Sequence, residues 1–326
     1  MTGLFDSWQR QINYLRISVT DHCSLSCVYC SVDSIPRLPR SEILSYEEIQ
    51  RLVQVAASMG ISKVRLTGGE PLLRPDLSKF VWRLSQIEGI DDISLTTNGI
   101  LLSKYAIELK EAGLKRVNVS LDTLKEDRFQ RITGRDKLGD VLSGIEAAYL
   151  AGLEPVKINM VVLRGMNDDE ILDFALMSVS KGWNVRFIEF MPFGTPKTEA
   201  FGTVSTQEIR ERIQSLGKLE PYTGKVGNGP ARYYRLPGTK GTIGFISAMT
   251  EHFCDTCNRL RLTSDGQLRP CLLDNDEVNL KEPLRNGANT DELKQLIRQA
   301  VTIKREQHHL NEGLAPGRRP MYQIGG

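Results

Sequence analysis

The sequence lacks the features that would send a chain into or across a membrane. No window approaches the ~18 consecutive apolar residues of a membrane span. The N-terminus, MTGLFDSWQRQINYL, has no basic segment leading into an apolar run, as a signal peptide requires. The expected compartment is therefore reducing and cytoplasmic. An excess of one charge is lacking too. The 42 Lys and Arg against 40 Asp and Glu leave a net +2, which gives no overall attraction for nucleic acid or a membrane surface. Neither G-x-x-x-x-G-K-[ST] nor G-x-G-x-x-G occurs, so any nucleotide must be held without a glycine-rich phosphate loop. G-x-S-x-G is absent and histidines number only 4, which leaves hydrolase chemistry little support. Hydrophobic residues at 40% and charged residues at 25% exclude a disordered or fibrous chain. The 326 residues suffice for two domains, or for one barrel with an extension.

Cysteine is scarce but not scattered. All 6 fall in two triplets: Cys23, Cys27 and Cys30 as C-x3-C-x2-C, and Cys254, Cys257 and Cys271 as C-x2-C-x13-C. In a reducing compartment such sets read as metal ligands rather than disulfides. Structural zinc wants four ligands, whereas three thiolates on a [4Fe–4S] cluster leave one iron open. His252, two residues before Cys254, makes a Cys3His zinc site an alternative for the second triplet. Zinc or reactive thiols stay open for the first, although His22 directly adjoins Cys23 and adjacent residues do not easily share one metal.

The first 191 residues read as six strand–helix units. Strands are expected over 14–20, 63–67, 92–98, 116–122, 155–163 and 184–191. Helical patterns lie between them. The clearest begins at Ser45, where S-Y-E-E puts Glu48 in a capping box. Gly113, Gly152 and Gly182 each follow a helical pattern and precede a strand, as C-terminal caps do. Such alternation implies right-handed crossovers and a parallel sheet. The strands are two-faced. Leu15, Ile17 and Val19 oppose Arg16, Ser18 and Thr20; Val64 and Leu66 oppose Arg65 and Thr67; Val117, Val119 and Leu121 oppose Asn118, Ser120 and Asp122; Val156, Ile158 and Met160 oppose Lys157 and Asn159. The apolar face should meet the helices. The polar face then lines an interior that contains Arg16, Arg65 and Lys157, and three buried cations call for a strongly anionic ligand.

After Met191 the pattern changes. Residues 192–206 read as a linker and 207–216 as a helix. Short strands are expected within 231–238, 241–247 and 258–273, with a hairpin at Asp265-Gly266. Arg259 and Arg261 flank Leu260, so both guanidiniums share one strand side, next to the second triplet; a solvated edge strand is the alternative. Helical patterns follow around 279–284 and 291–306, and 316–326 reads as a flexible tail. The expected division is a barrel over 1–195 and an α+β unit over 196–326 that closes its mouth.

Tyr29 stands between the second and third cysteines of C-x3-C-x2-C, and TGGEP at 67–71 follows the second strand. Together these resemble the radical S-adenosylmethionine (SAM) superfamily. With the second triplet, the N-R-L-R run before Leu262 and the terminal Gly325-Gly326, the chain resembles the GTP 3′,8-cyclase family of radical SAM lyases over essentially its whole length. The resemblance implies a partial (βα)6 TIM-like barrel of parallel strands, with a C-terminal α+β domain carrying a second iron–sulfur cluster. It implies two [4Fe–4S] clusters: one held by Cys23, Cys27 and Cys30, whose open iron takes SAM, and one held by Cys254, Cys257 and Cys271, whose open iron takes the guanine of GTP. Tyr29, Gly69, Glu70, Ser120 and Met191 match the family's SAM site. Arg16, Arg65, Thr96, Lys157, Arg259, Leu260 and Arg261 match its GTP site. Arg259, Arg261, Gly325 and Gly326 match positions that serve catalysis. The implied reaction is cyclisation of GTP, the first step of molybdenum cofactor biosynthesis. The implied partners are a low-potential electron donor, cyclic pyranopterin monophosphate synthase downstream and a second copy of the chain in a homodimer, with neither nucleic acid nor membrane.

Overall fold

The computed structural model describes residues 3–30, 36–192, 201–224, 226–308 and 319–325. Six strands alternate with helices through the first part of the chain: β1 (Tyr14–Ser18), β2 (Lys63–Thr67), β3 (Asp92–Thr97), β4 (Arg116–Ser120), β5 (Lys157–Arg164) and β6 (Asn184–Glu189). Between them run α1 (Tyr46–Ser58), α2 (Leu77–Ser85), α3 (Leu102–Glu111), α4 (Glu126–Thr133), α5 (Leu138–Leu150) and α6 (Ile171–Ser180). The expected capping box opens α1: the Ser45 hydroxyl accepts from the Glu48 N–H at 3.1 Å, and the Glu48 carboxylate accepts from the Ser45 N–H at 2.6 Å. Gly113, Gly152 and Gly182 all take left-handed φ angles, which L side chains rarely adopt, and so end their helices.

The apolar strand faces meet the helices as the alternation requires. Ile17, Val64, Leu66, Val117, Val119 and Ile158 are fully buried, in one core with Leu52, Phe80, Leu109, Ile145 and Phe174 of the helices. The polar faces are also enclosed: Arg65, Ser94, Asn118 and Lys157 are buried. Both faces of these strands are thus covered, one by hydrocarbon and one by polar side chains.

The second part of the chain adds β7 (Gly202–Thr203), α7 (Thr206–Ile213), β8 (Glu220–Pro221), β9 (Arg232–Arg235), β10 (Thr242–Ile246), β11 (Arg259–Leu262), β12 (Gln267–Arg269), β13 (Val278–Asn279), α8 (Lys281–Arg285), α9 (Thr290–Thr302) and α10 (Met321–Ile324). Among the described residues the sheet order is β13-β12-β11-β1-β2-β3-β4-β5-β6-β10-β9-β8, and β7 pairs with β5. β11 lies parallel to β1, and β10 lies parallel to β6. The parallel run of the partial barrel is therefore longer than the six strands expected, because strands from beyond residue 195 cover both of its open edges. β11 is an interior strand, not a solvated edge. In the stretch expected as a linker, residues 193–200 lie outside the described residues, Gly202–Thr203 pairs with β5, and Ser205 caps α7. The segment expected as a flexible tail is also different. Met321–Ile324 is helical, with Tyr322, Gln323 and Ile324 buried, because two apolar side chains and a short helix find cover against the first cysteine loop and β1–β2.

Candidate active site

Register places the two cysteine triplets at opposite ends of the parallel strands. Cys23, Cys27 and Cys30 follow the C-terminal end of β1. Cys257 stands two residues before the first residue of β11, Arg259, which pairs with Tyr14 at the start of β1. Cys271 follows β12, where Arg269 pairs antiparallel with Arg261, and so returns to that same end. Between the ends, Arg261, Arg16 and Arg65 stand on neighbouring strands in direct register. Across the barrel, Ser120, Asn159, Arg186 and Gly244 continue the interior rows on β4, β5, β6 and β10. Gly244 has a steric reason: an added Cβ would lie 3.0 Å from the Arg186 Cγ and 2.9 Å from the Tyr233 ring.

All six cysteines line one cavity of about 310 Å3, within the range of small-ligand sites. Of the residues expected there, Arg16, Tyr29, Arg65, Gly69, Thr96, Ser120, Met191, Arg259 and Arg261 line it as well. Lys157, Glu70 and Leu260 do not. Lys157 sits at the first position of β5, only 1% exposed, with its ammonium against Gly227 of the β8–β9 connection. Leu260 points the other way from its arginine neighbours, into the apolar core. Glu70 is fully buried behind the wall; its carboxylate accepts from the Leu72 N–H (3.0 Å), the Thr97 hydroxyl (2.8 Å) and the Asn98 N–H (2.7 Å). It thus ties the turn after β2 to the turn after β3. Burial raises this carboxyl to about 7 against those donors. Gly325 does not line the cavity, but its carbonyl accepts from Arg261, which does, at 2.7 Å; Gly326 lies outside the described residues.

Arg186 and Tyr322 are not among the residues the sequence singles out, and Asp122 is expected only on the polar face of its strand. Arg186 obeys the same alternation as Arg65 and was legible on that signal. Asp122 accepts from the Tyr29 hydroxyl (2.6 Å) and the Val161 N–H (2.8 Å), so it anchors the first cysteine loop to β5. Burial lifts this carboxyl to about 6. Tyr322 gives its N–H to the Cys30 thiol and its ring to the Arg37 guanidinium, 3.9 Å from the centroid. Alternation puts Asp122 on the interior face without naming its partners, and no local pattern announces the contacts of Tyr322.

The cavity holds too much positive charge for an empty apolar pocket. Burial, then Arg261 and Arg65, lower the pKa of Arg16. Burial, then Arg259, lowers that of Arg261 to about 9. Burial, then Arg186, Arg116 and Arg65, lower Lys157 to about 5, so its amine is neutral at pH 7. Crowded, desolvated cations are relieved by an anion. The buried Nε of Arg186, the Tyr14 hydroxyl and the Oδ1 of Asn159 lack partners among the described residues, which suits a polar ligand with several acceptors and donors.

The cysteine loops suit cluster ligation. Main-chain N–H groups of Leu25 and Leu273 donate to the sulfurs of Cys23 and Cys271, both at 3.4 Å, as outer-shell donors to cluster thiolates do. Burial pushes the Cys27 thiol up, and the Cys30 thiol to about 12, so a metal's charge is needed to hold them as thiolates. Burial acts the same way on Cys257, but Arg259 and Lys304 outweigh it and bring that thiol down to about 6. Among the described residues, no three His, Cys, Asp or Glu side chains converge as a single metal ion needs. The Cys3His set expected as the alternative is not assembled among them. His252 instead pairs with His308, ring nitrogen to ring nitrogen, at 3.0 Å. Glycine is required where the turn after β2 packs on the first cysteine loop: a Cβ on Gly69 would lie 2.3 Å from the His22 carbonyl oxygen, and one on Gly68 equally close to that of Thr20.

Comparison with known proteins agrees with this arrangement. Residues 17–177 match the Radical SAM superfamily, and residues 183–310 match Molybdenum Cofactor Synthesis C. The chain is 52% identical to the GTP 3′,8-cyclase of Pelotomaculum thermopropionicum, over 98% of this chain and 99% of that one. It is 51% identical to the GTP 3′,8-cyclase of Moorella thermoacetica, over 98% and 99%. Among solved structures, SuiB of Streptococcus suis bound to S-adenosylmethionine has the same fold, with a TM-score of 0.63 at 16% identity over 88% of this chain and 68% of that one. Identity at this level over the full length, with the cysteines, glycines and arginines gathered around one cavity, shows that the chain belongs to the GTP 3′,8-cyclase family of radical SAM enzymes.

Proposed function

We propose that the cavity binds SAM beside Cys23, Cys27 and Cys30 and binds GTP along the strand arginines, with the guanine toward Cys254, Cys257 and Cys271. The chain is a GTP 3′,8-cyclase: it converts GTP to (8S)-3′,8-cyclo-7,8-dihydroguanosine 5′-triphosphate, the first step of molybdenum cofactor biosynthesis. A [4Fe–4S] cluster and SAM, when bound, supply a 5′-deoxyadenosyl radical able to take hydrogen from the unactivated ribose C3′.

The protein's own task is to bind, orient and exclude water. Cys23, Cys27 and Cys30 hold the SAM cluster and leave one position open. Tyr29, Gly69, Ser120 and Met191 contact SAM; Glu70 positions Gly69 and the turn after β3 rather than touching it. Arg16, Arg65, Arg186 and Thr96 contact GTP, and Lys157, behind the wall, takes up a proton when the triphosphate is bound. Cys254, Cys257 and Cys271 would hold a second [4Fe–4S] cluster, which would supply an iron for the base to bind. Arg259 and Arg261 contact the substrate, Leu260 seats both on the core, and Gly325, with Gly326 beyond it, positions Arg261. The observation that carries this reading is the register of Arg261, Arg16 and Arg65 between the two triplets. A row of guanidiniums in an enclosed space suits a triphosphate and not a neutral peptide backbone. The family resemblance further supports a low-potential electron donor, delivery of product to cyclic pyranopterin monophosphate synthase, a homodimer and two units divided near residue 195. No helix among the described residues is long and apolar enough to cross a membrane.

The test is anaerobic incubation with GTP, SAM and a reductant, with 5′-deoxyadenosine and cyclised product measured together. Cys27→Ser should abolish both. Cys257→Ser should keep some 5′-deoxyadenosine but yield no cyclised product. Undiminished SAM cleavage in Cys27→Ser, or normal product in Cys257→Ser, contradicts the assignment of the triplets.

A further inference from the structure

The second cysteine triplet is held by a clasp that none of the sequence motifs announces. Lys304, just beyond α9, is 3% exposed, and its ammonium donates to the main-chain carbonyls of Arg259 (3.2 Å) and Pro270. One of these lies two residues after Cys257 and the other immediately before Cys271, so a single side chain bridges both halves of C-x2-C-x13-C. Arg10 completes the hold. Its guanidinium donates to the carbonyls of Cys254 (2.6 Å), Arg305 (2.6 Å) and Glu306 (2.7 Å), and Asp6 fixes it at 2.6 Å. The Trp8 indole N–H reaches the Lys304 carbonyl at 3.2 Å. The N-terminal loop, the chain after α9 and the loops of all three cysteines therefore meet in one hydrogen-bonded unit.

A buried ammonium needs negative charge near it, and both carbonyl acceptors of Lys304 are neutral. Those carbonyls lie two residues from Cys257 and one residue from Cys271, so an anionic group held between the cysteine loops would supply it. We propose that Lys304 is a positioning residue for the group bound by Cys254, Cys257 and Cys271, with Arg10 as its outer brace: it fixes the spacing of the cysteine loops and sets its ammonium between them. This rests on the reading that those cysteines hold a second cluster.

The test uses the full chain, reconstituted anaerobically with iron and sulfide, in five forms: wild type, Cys257→Ser, Lys304→Met, Arg10→Met and Lys304→Arg. Iron content, iron release to a chelator and the midpoint potential of each cluster's electron paramagnetic resonance signal are measured. Wild type should hold about eight irons and Cys257→Ser about four. Lys304→Met and Arg10→Met should release the second set of irons at least about tenfold faster than wild type, the scale of outer-shell effects at metal sites, with the first set unchanged. Whatever second cluster remains in Lys304→Met should be harder to reduce, because a neighbouring positive charge is gone. Lys304→Arg should restore most of the retention. Wild-type iron release and potential in both Met variants overturn the proposal, and so does loss of both iron sets together, which marks a general structural role. If Cys257→Ser itself keeps about eight irons, the second-cluster reading fails and this proposal falls with it, an outcome distinct from wild-type behaviour of the Met variants.

Discussion

Arg186 and Lys157 differ in what a period-two pattern reveals. Both fall on the polar face of their strands, and that much is legible from alternating residues. Depth along the barrel is not. Arg186, in the middle of β6, reaches the cavity, whereas Lys157 opens β5 and is capped by Gly227 from a segment about seventy residues further along the sequence. The consequence is chemical. With its pKa near 5, the Lys157 amine is unprotonated at pH 7. In the unfolded chain it would take up a proton below its ordinary 10.5, so folding gains stability as pH rises from about 5 toward that value. A triphosphate brought beside Lys157 reverses the balance by favouring the ammonium. GTP binding should therefore take up close to one proton at pH 7, and its affinity should fall as pH rises. Calorimetry in two buffers of different ionisation enthalpy measures this. Lys157→Met should remove the uptake, and Arg186→Ala should weaken GTP about 10- to 150-fold, the worth of a charge-assisted contact of roughly 1.5–3 kcal/mol, with SAM much less affected. No proton uptake in wild type, or equal loss of SAM and GTP affinity in Arg186→Ala, contradicts these roles.

Elements whose signals are local were read with little error. The strands of the first part deviate from expectation by a few residues at their ends, and α1 begins at its capping box, because alternation, caps and left-handed glycines act within a few residues. Pairing across the chain was not legible. β10 and β11 are five and four residues long, and their parallel partners, β6 and β1, are chosen by edge completion across up to about 240 residues of sequence. The last segment is not legible for the same reason: α10 has four residues, too few for a periodic pattern, and its burial comes from Tyr322 and Ile324 finding the barrel. That docking joins the two halves of the site, since the Tyr322 N–H meets the Cys30 thiol and the Gly325 carbonyl holds Arg261. Removing residues 320–326 should leave SAM cleavage measurable but spend much more SAM per cyclised GTP, because Arg261 loses its acceptor. The ratio of 5′-deoxyadenosine to product measures the coupling, and an unchanged ratio would show that the segment does not position Arg261.

At the scale of the whole molecule, one barrel interior places two sets of thiols at its opposite ends and a row of cations between them. A substrate held at both of its ends has little freedom in its middle, and for a nucleotide fixed by base and triphosphate the middle is the ribose. The sequence carried the two triplets and the polar strand faces; their arrangement along one axis required the register of β11 on β1, with β12 folded back beside it. That arrangement makes the choice of hydrogen the central claim. The direct measurement is label transfer from GTP deuterated at a single ribose carbon. Deuterium at C3′ should appear in 5′-deoxyadenosine, and deuterium at C2′ or C4′ should stay behind; label arriving from C2′ or C4′, with none from C3′, would contradict the account.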